Sequence, residues 1–311
     1  MGIKNFSKLF DSSKELTYQN FNENNINTVV IDAMFAIHYA LKSPFKLTDN
    51  NGNYTHHIKL ILNDIVKRKK NNIKEIWCFD YQKKVDDKDF HNQLKLGEIE
   101  KRKKVRIKAE KDLQILIDTN KNNENNEKIE KKFRQTIRVT SKIIAEIKYV
   151  LDILGIQYFE ADKGFEGEQL ACALVKNNYA DAVISNDFDV LVFGANKLVT
   201  KKSKKMYLYN LPDILDQHKI CFKDFIKIGV ILGCDFAPKT PKIGVKTVMK
   251  KYKAVELTSI QEQAYNYFLK NYDKKICVEE KKNNIDNLIE FLVEKGFNKK
   301  AISSIVKIID A

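Results

Sequence analysis

The sequence predicts an α/β fold in which helices cover both faces of a central, mostly parallel sheet. Three short apolar runs, at 28–31, 76–79 and 182–184, are rich in β-branched and aromatic residues and predict buried strands. Patterns of helical period separate the runs, and alternation of strands with helices indicates parallel pairing. Aspartates follow each run, so acidic side chains would collect beyond the carboxyl ends of the strands.

The segment from 81 to 149 interrupts this alternation. It holds a long, very basic helical pattern at 95–117, a polar low-complexity stretch at 118–132, and a second helical pattern at 133–155. The polar stretch has too few apolar residues to pack, which predicts a mobile loop between two helices. The insertion is either a solvated surface hairpin or an arch that carries cations over the acidic edge of the sheet.

The remaining chain is predicted to be an edge hairpin at 197–210 followed by helices, including a helix–turn–helix pattern at 225–252. We therefore predict a single domain over 1–311. Its parts are an α/β region at 1–94, the helical insertion at 95–150, a second α/β region at 151–210 and a helical region at 211–311.

The composition favours a polyanionic partner. Lys and Arg number 55 against 41 Asp and Glu, a formal net charge of +14, which indicates nucleic acid first and anionic membrane second. No run of about 18 apolar residues is present. The five cysteines lack the spacing of a zinc site or a disulfide framework. We predict a soluble intracellular protein, nuclear or at a cytoplasmic replication site, with no membrane association.

Seven acidic residues lie at predicted strand ends and helix starts: Asp32, Asp80, Glu166, Glu168, Asp187, Asp189 and Asp235. Carboxylates gathered at one edge would repel one another unless a counter-charge is present. Hard divalent cations that prefer oxygen ligands, Mg²⁺ or Mn²⁺, would supply that charge. A carboxylate-rich pair of such ions suits phosphodiester hydrolysis.

Each acid also has an ordinary structural interpretation. Asp32 taken alone suits a helix N-cap better than a metal ligand, and Asp235 suits a turn. Glu166 and Glu168 are two apart and share no helix face. They reach one site only if they occupy the frayed first turn of their helix.

Asp187 and Asp189 are predicted to lie on one face of an extended strand end. Side chains two apart on an extended strand point the same way, and Phe188 would then point into the packing on the other side.

Together the motifs resemble the flap endonuclease family of structure-specific 5′ nucleases over nearly the whole chain. The matching segments are VVIDAMFAIHYAL, WCFD, LKLGEIEKR, LGIQYFEADKGFEGEQLACALV, SNDFDVLVFG and GVILGCDFAPKTPKIGVKTVMKKY. The resemblance implies a PIN-like 5′ nuclease fold with a helical arch, and seven carboxylates that bind two Mg²⁺ ions. One ion would be held mainly by Asp32, Asp80, Glu166 and Glu168, and the second mainly by Asp187, Asp189 and Asp235.

The same resemblance assigns residues near the cleaved bond. Lys95 and Arg102, two helical turns apart on the first arch helix, would stabilise charge on the scissile phosphate. Gly2 would lie near the active site. His38 or Tyr39 would stack on the base at the cleavage position.

A helix–two-turn–helix at 225–252, which in the family often binds K⁺, would grip the duplex backbone. Backbone amides and lysines at its second helix would contact phosphates; these residues are Lys242, Ile243, Gly244, Val245, Lys246 and Lys250.

The sequence thus predicts a Mg²⁺-dependent enzyme that cuts DNA at 5′ flaps, nicks or ends in replication, repair or recombination. We expect a monomer without a sliding-clamp-binding box, most similar to a compact viral member of the family. Two alternatives stay open: a 5′→3′ exoribonuclease, and a non-catalytic DNA-binding scaffold for recombination with the same fold.

Overall fold

A computed structural model of the chain describes residues 3, 6–10, 13–43, 47–49, 51–81, 90–119, 126–202, 205–272, 276–277, 279 and 281–310. The chain divides into two compact units. The first comprises Met1–Phe35, Lys67–Leu94 and Gly155–Lys282, and the second comprises Ala36–Val66, Lys95–Leu154 and Asn283–Ala311.

The strands are β1 (Lys14–Leu16), β2 (Thr28–Asp32), β3 (Lys74–Phe79), β4 (Tyr158–Glu160), β5 (Ala182–Ile184), β6 (Lys197–Lys202) and β7 (Lys205–Asn210). The α-helices are α1 (Phe6–Leu9), α2 (Ala33–Leu41), α3 (His56–Lys70), α4 (Phe90–Thr119), α5 (Asn126–Thr136), α6 (Ser141–Ile153), α7 (Gly167–Lys176), α8 (Asp189–Val192), α9 (Leu211–His218), α10 (Phe222–Leu232), α11 (Val245–Lys251), α12 (Ser259–Leu269), α13 (Ile285–Glu294) and α14 (Lys299–Ile309).

The first unit is built on a mixed, mostly parallel sheet, in the order β1-β7-β6-β5-β2-β3-β4 within the described residues. Strands β6, β5, β2, β3 and β4 pair in parallel, and β7 pairs antiparallel with both β6 and β1. This confirms the predicted α/β class. The predicted hairpin at 197–210 is β6 and β7, but the sheet edge beside it is β1, which the sequence pattern did not indicate.

Burial explains why the central strands form where they do. Every residue of β5 is buried, and β2 and β3 are buried over most of their lengths. Strands covered on both faces are continuous apolar runs, and α7 supplies part of that cover because its apolar residues pack on β2, β3 and β5.

The second unit is helical, and here the insertion differs from its prediction. Part of the stretch predicted as loop, from Asn126 onward, is the first half of α5, while residues 120–125 lie outside the described part. Lys132 on α5 forms an ion pair of 2.5 Å with Asp112 on α4. The predicted second helix is divided into α5 and α6, because α6 has its own N-cap at Thr140, whose hydroxyl accepts from the Ile143 N–H. In the part of the chain that is described, no helix is long and apolar enough to cross a membrane.

Candidate active site

The carboxyl ends of three adjacent strands form the floor of the candidate site. Strand β2 pairs in parallel with β3 on one side and with β5 on the other, so all three end at the same sheet edge. Asp32 is the last residue of β2, Asp80 directly follows β3, and Asp187 lies shortly after β5. The sheet therefore brings these three predicted site residues to one edge.

Asp32 is a buried carboxyl, 6% exposed. Its Oδ1 accepts from the Phe35 N–H at 3.0 Å, and its Oδ2 accepts from the Ser185 hydroxyl at 2.7 Å. The pKa of Asp32 is raised to about 7, chiefly by burial and also by the charges of Asp80 and Asp187, against the lowering effect of these two hydrogen bonds. A cation at this edge would favour the charged form of the carboxyl.

Ser185 is a residue of this site that the sequence reasoning missed. It is fully buried, and its hydroxyl both donates to Asp32 and accepts from the Asp187 N–H at 3.1 Å. It therefore links the end of β2 to the turn after β5. The available signal was its position, as the first polar residue after the apolar run of β5.

The prediction that Asp187 and Asp189 lie on one face of an extended strand is wrong. Strand β5 ends at Ile184, Phe188 has helical backbone angles, and Asp189 begins α8. The Asp187 carboxylate accepts from the Asp189 N–H at 2.9 Å, a local bond by which aspartate stabilises a turn in place of a strand. Asp189 is buried, and its Oδ1 accepts from the Ile3 N–H at 3.2 Å.

The start of α7 lies against the end of β3. Glu166 is the N-cap, with extended backbone (φ −102°, ψ 158°), and Glu168 lies in the first turn, so both glutamates occupy the helix start that their spacing required. The Gly167 N–H donates to Asp80 Oδ1 at 2.8 Å. A Cβ at Gly167 would lie 3.0 Å from that same oxygen, so glycine permits this close approach.

Asp235 belongs to the turn after α10. Burial raises the pKa of the Cys234 thiol to about 12, and the charges of Asp189 and Asp235 add to the shift. Similarly, burial raises the pKa of the Cys78 thiol, with contributions from Asp32 and Glu168. The charges of Asp189 and Asp235 thus act on one buried thiol, and those of Asp32 and Glu168 act on another.

The donor set fits a hard divalent cation, because its side chains are carboxylates without His or Cys. Asp32 is buried beside two other acids and has a raised pKa. A bound cation would account for this arrangement. Within the described residues, however, no three His, Cys, Asp or Glu side chains are close enough together to hold a metal ion. Asp32, Asp80 and Asp187 lie at one sheet edge without forming a closed set of ligands.

The candidate residues for the scissile phosphate and the stacked base belong to the second unit. Arg102 is an exposed residue of α4, whereas only the backbone of Lys95 is described. His38 is half-buried on α2, and burial lowers its pKa, with further lowering by Lys42 and Arg102. Tyr39 is 38% exposed. Their placement over the acids stays a prediction, and Gly2, in the first unit, lies outside the described residues.

The predicted duplex grip corresponds to α10, the loop after it, and α11. Lys242, Lys246 and Lys250 are exposed. The Gly244 N–H donates to Thr247 Oγ1 at 3.1 Å, and the Ile243 N–H to the Thr240 carbonyl at 3.4 Å. These two amides are therefore engaged within the turn.

Comparison with known proteins gives matches over most of the chain. Residues 1–109 match the XPG N-terminal domain and residues 155–235 match the XPG I-region. Flap endonuclease 1 of Methanococcus aeolicus is 30% identical over 303 residues, covering 91% of this chain and 88% of that protein. Flap endonuclease 1 of Methanobrevibacter smithii is 29% identical, covering 83% of this chain and 80% of that protein.

Two solved structures share the fold. Flap endonuclease-1 from Methanococcus jannaschii matches with a TM-score of 0.73 at 20% identity, covering 99% of this chain and 98% of that one. The catalytic core of Rad2 in complex with DNA substrate matches with a TM-score of 0.69 at 17% identity, covering 99% and 100%. None of the relatives named here is viral, so the viral resemblance stays a prediction.

Proposed function

This chain belongs to the flap endonuclease family and is a nuclease, and we propose that it hydrolyses DNA at 5′ flaps, nicks or ends with two Mg²⁺ ions. The supporting observation is the edge of the sheet, where buried Asp32 lies beside Asp80 and Asp187 and has a pKa of about 7. Carboxyl groups that are held together although burial and mutual repulsion raise their pKa are typical of a cation site.

The seven carboxylates have separate roles in this proposal. Asp32, Asp80, Glu166 and Glu168 would hold one ion, and Asp187, Asp189 and Asp235 the other. When bound, such ions lower the pKa of water and stabilise the leaving oxygen of a phosphodiester. Ser185 orients Asp32 and the backbone of Asp187 through its hydroxyl, and the Gly167 N–H orients Asp80.

Cations elsewhere on the chain would bind the DNA itself. Arg102 and Lys95 on α4 would contact the scissile phosphate, and His38 or Tyr39 would stack on the adjacent base. The exposed lysines 242, 246 and 250 would contact duplex phosphates, which position the substrate without specifying its sequence. We further propose that the protein acts as a monomer in replication, repair or recombination, with a K⁺ ion at the loop before α11.

The test is cleavage of labelled flap, nicked and single-stranded DNA by wild type and by Asp187→Ala, with and without Mg²⁺. We expect the cleavage rate of the variant to fall more than about a hundredfold, because losing a metal ligand reduces activity more than losing a residue that orients a ligand. Flap-DNA binding in EDTA should be retained. Asp216→Ala is the matched control, since Asp216 is an exposed acid on α9.

Two outcomes would contradict the proposal. Undiminished cleavage by Asp187→Ala would show that Asp187 binds no essential ion. Faster degradation of RNA than of DNA from the 5′ end, measured in parallel, would instead favour the exoribonuclease alternative.

A further inference from the structure

Tyr267, on α12, contacts three separate segments from a buried position. Tyr267 is only 6% exposed, and its hydroxyl donates to Gln169 Oε1 at 2.6 Å. Its ring centroid lies 4.7 Å from that of Phe236 and 6.0 Å from that of Phe193. One side chain thus joins elements that are far apart in the sequence.

Each contacted residue belongs to a segment that carries candidate ligands. Gln169 lies in the first turn of α7 with Glu168 and follows the N-cap Glu166; Phe236 directly follows Asp235; and Phe193 caps α8, which begins at Asp189. The charges of Glu168 and Asp80 contribute, after burial, to raising the pKa of Tyr267, which is consistent with a hydroxyl near the acids.

Gln169 transmits the contact to the backbone of Glu166. Its Oε1 accepts both from the Tyr267 hydroxyl and from the Glu166 N–H, the latter at 3.1 Å. Gln169 is 3% exposed, and its Nε2 has no hydrogen-bond partner among the described residues. The bonds at Oε1 therefore hold this side chain in place, and Tyr267 supplies the shorter of them.

Helix α12 is itself fixed at its other end. Gln261, 2% exposed, donates from Nε2 to the Pro238 carbonyl at 3.0 Å and to Thr240 Oγ1 at 2.9 Å. These acceptors lie in the loop after Asp235. Because both ends of α12 are bonded to segments around the acids, the helix can hold Tyr267 rigidly.

We propose that Tyr267 is a positioning residue that, through Gln169 and Phe236, holds Glu166, Glu168 and Asp235 in the arrangement that binds divalent metal. This rests on the proposed function, because it assumes that those carboxylates are ligands. Tyr267 lies outside every motif that the sequence indicated, so only the three-dimensional contacts identify it.

The test is the affinity for Mn²⁺ in the absence of DNA, measured from the electron paramagnetic resonance signal of the unbound ion. The proteins compared are wild type, Tyr267→Phe and Gln169→Leu. Tyr267→Phe keeps the ring and removes the hydroxyl bonds to Gln169 Oε1 and, at 3.4 Å, to the Gly164 carbonyl. We expect each variant to weaken Mn²⁺ binding about tenfold, as is typical for residues that orient ligands. The Mg²⁺ concentration for half-maximal flap cleavage should rise by the same factor, while KM for DNA at saturating Mg²⁺ stays unchanged.

Tyr272→Phe is the matched control, because Tyr272 is also buried and its hydroxyl donates to Asp162 Oδ2 at 3.0 Å. It should lose thermal stability similarly but retain the wild-type Mn²⁺ affinity. Unchanged Mn²⁺ affinity in Tyr267→Phe, or an equal loss in Tyr272→Phe, would overturn the positioning role alone. Absence of Mn²⁺ binding by the wild type would overturn the proposed metal site and the positioning role with it.

Discussion

Asp32 shows how one side chain can cap a helix and still be the metal ligand that the proposed function requires. Its Oδ1 caps α2 by accepting from the Phe35 N–H, as an ordinary N-cap does. Its Oδ2 takes a single hydroxyl bond, from Ser185, and a carboxylate oxygen has capacity for more than one partner. The N-cap interpretation and the ligand interpretation of Asp32 are therefore compatible.

Residues of the site divide into those that a sequence can indicate and those that it cannot. Asp32 and Asp80 were predictable because each ends an apolar strand. Ser185 was indicated only by its position after β5, not by its bond to Asp32. Gln169 and Tyr267 were not indicated, because they bond each other across a long stretch of sequence. Local patterns carry no information on such pairings.

His57 on α3 makes the stability of the fold depend on pH. It is 1% exposed, and neither ring nitrogen has a hydrogen-bond partner within the described residues. Burial lowers its pKa to about 4, although Glu146, whose carboxylate lies 3.9 Å from Nε2, raises it; Lys295 and His56 lower it. The folded protein therefore holds the neutral ring.

The sign of the effect follows from the lowered pKa. As the pH falls below 6.5, the ordinary pKa of histidine, His57 binds a proton in the unfolded chain. In the folded chain it stays neutral until about pH 4. Stability present above pH 6.5 is thus lost on acidification, by about 2 kcal/mol between pH 7 and pH 5. Urea denaturation followed by circular dichroism measures this, and His57→Phe should reduce the pH-dependent loss by that amount. An identical loss in both proteins would assign it to other groups.

At the scale of elements, the end of α10 depends on a glycine. Gly233 has φ +88°, and a Cβ there would lie 2.8 Å from the backbone nitrogen of Lys239. The loop folds back at this point, since the Thr240 N–H donates to the Ile231 carbonyl at 2.9 Å. Neither the backbone angle nor the space at Gly233 suits a side chain.

Gly233→Ala should therefore lower the free energy of unfolding by about 3 kcal/mol, of which about 1 kcal/mol is left-handed backbone strain and the rest is steric overlap. Gly164→Ala separates the two contributions. Gly164 has φ +81° but nothing within 4 Å of an added Cβ, so it should show the strain alone. Chemical denaturation of both variants is the measurement, and equal losses would refute the steric contribution.

Elements were predictable where their residues form long or continuous patterns. The buried strands β2, β3 and β5 and the basic helix α4 belong to this class. Strands β1 and β4 contain three residues each and are not fully buried, so they have no apolar run to indicate them. Helix α8 stands where a strand end was predicted, because the Asp187 carboxylate accepts from the Asp189 N–H. A local side-chain hydrogen bond of this kind is not visible in the hydrophobic pattern.

At the scale of the whole molecule, the parallel sheet was predictable and the division into units was not. The sheet follows from apolar strands that alternate with helices. The two units, by contrast, each combine three segments distant in the sequence. In the second unit, for example, Lys295 from the chain's C-terminal part pairs with Glu146 on α6 at 3.0 Å. Contacts of this kind depend on the folded chain path.

The net charge of +14 predicts strongly salt-dependent DNA binding, and the fold suggests which charges matter. Lys242, Lys246 and Lys250 are exposed and spaced by four, the last two on one face of α11. If each neutralises one duplex phosphate, changing all three to Gln should reduce the slope of log K against log salt by about 3. Binding is measured in EDTA, so that cleavage does not interfere.

The control for this experiment removes the same charge from α14, in the second unit. Lys299, Lys300 and Lys307 are exposed on α14, and their replacement by Gln lowers the net charge equally. If long-range attraction by total charge dominates, both triple variants will lose affinity alike. We expect the slope to change only in the α11 variant, because counterions are released only where lysines contact phosphates.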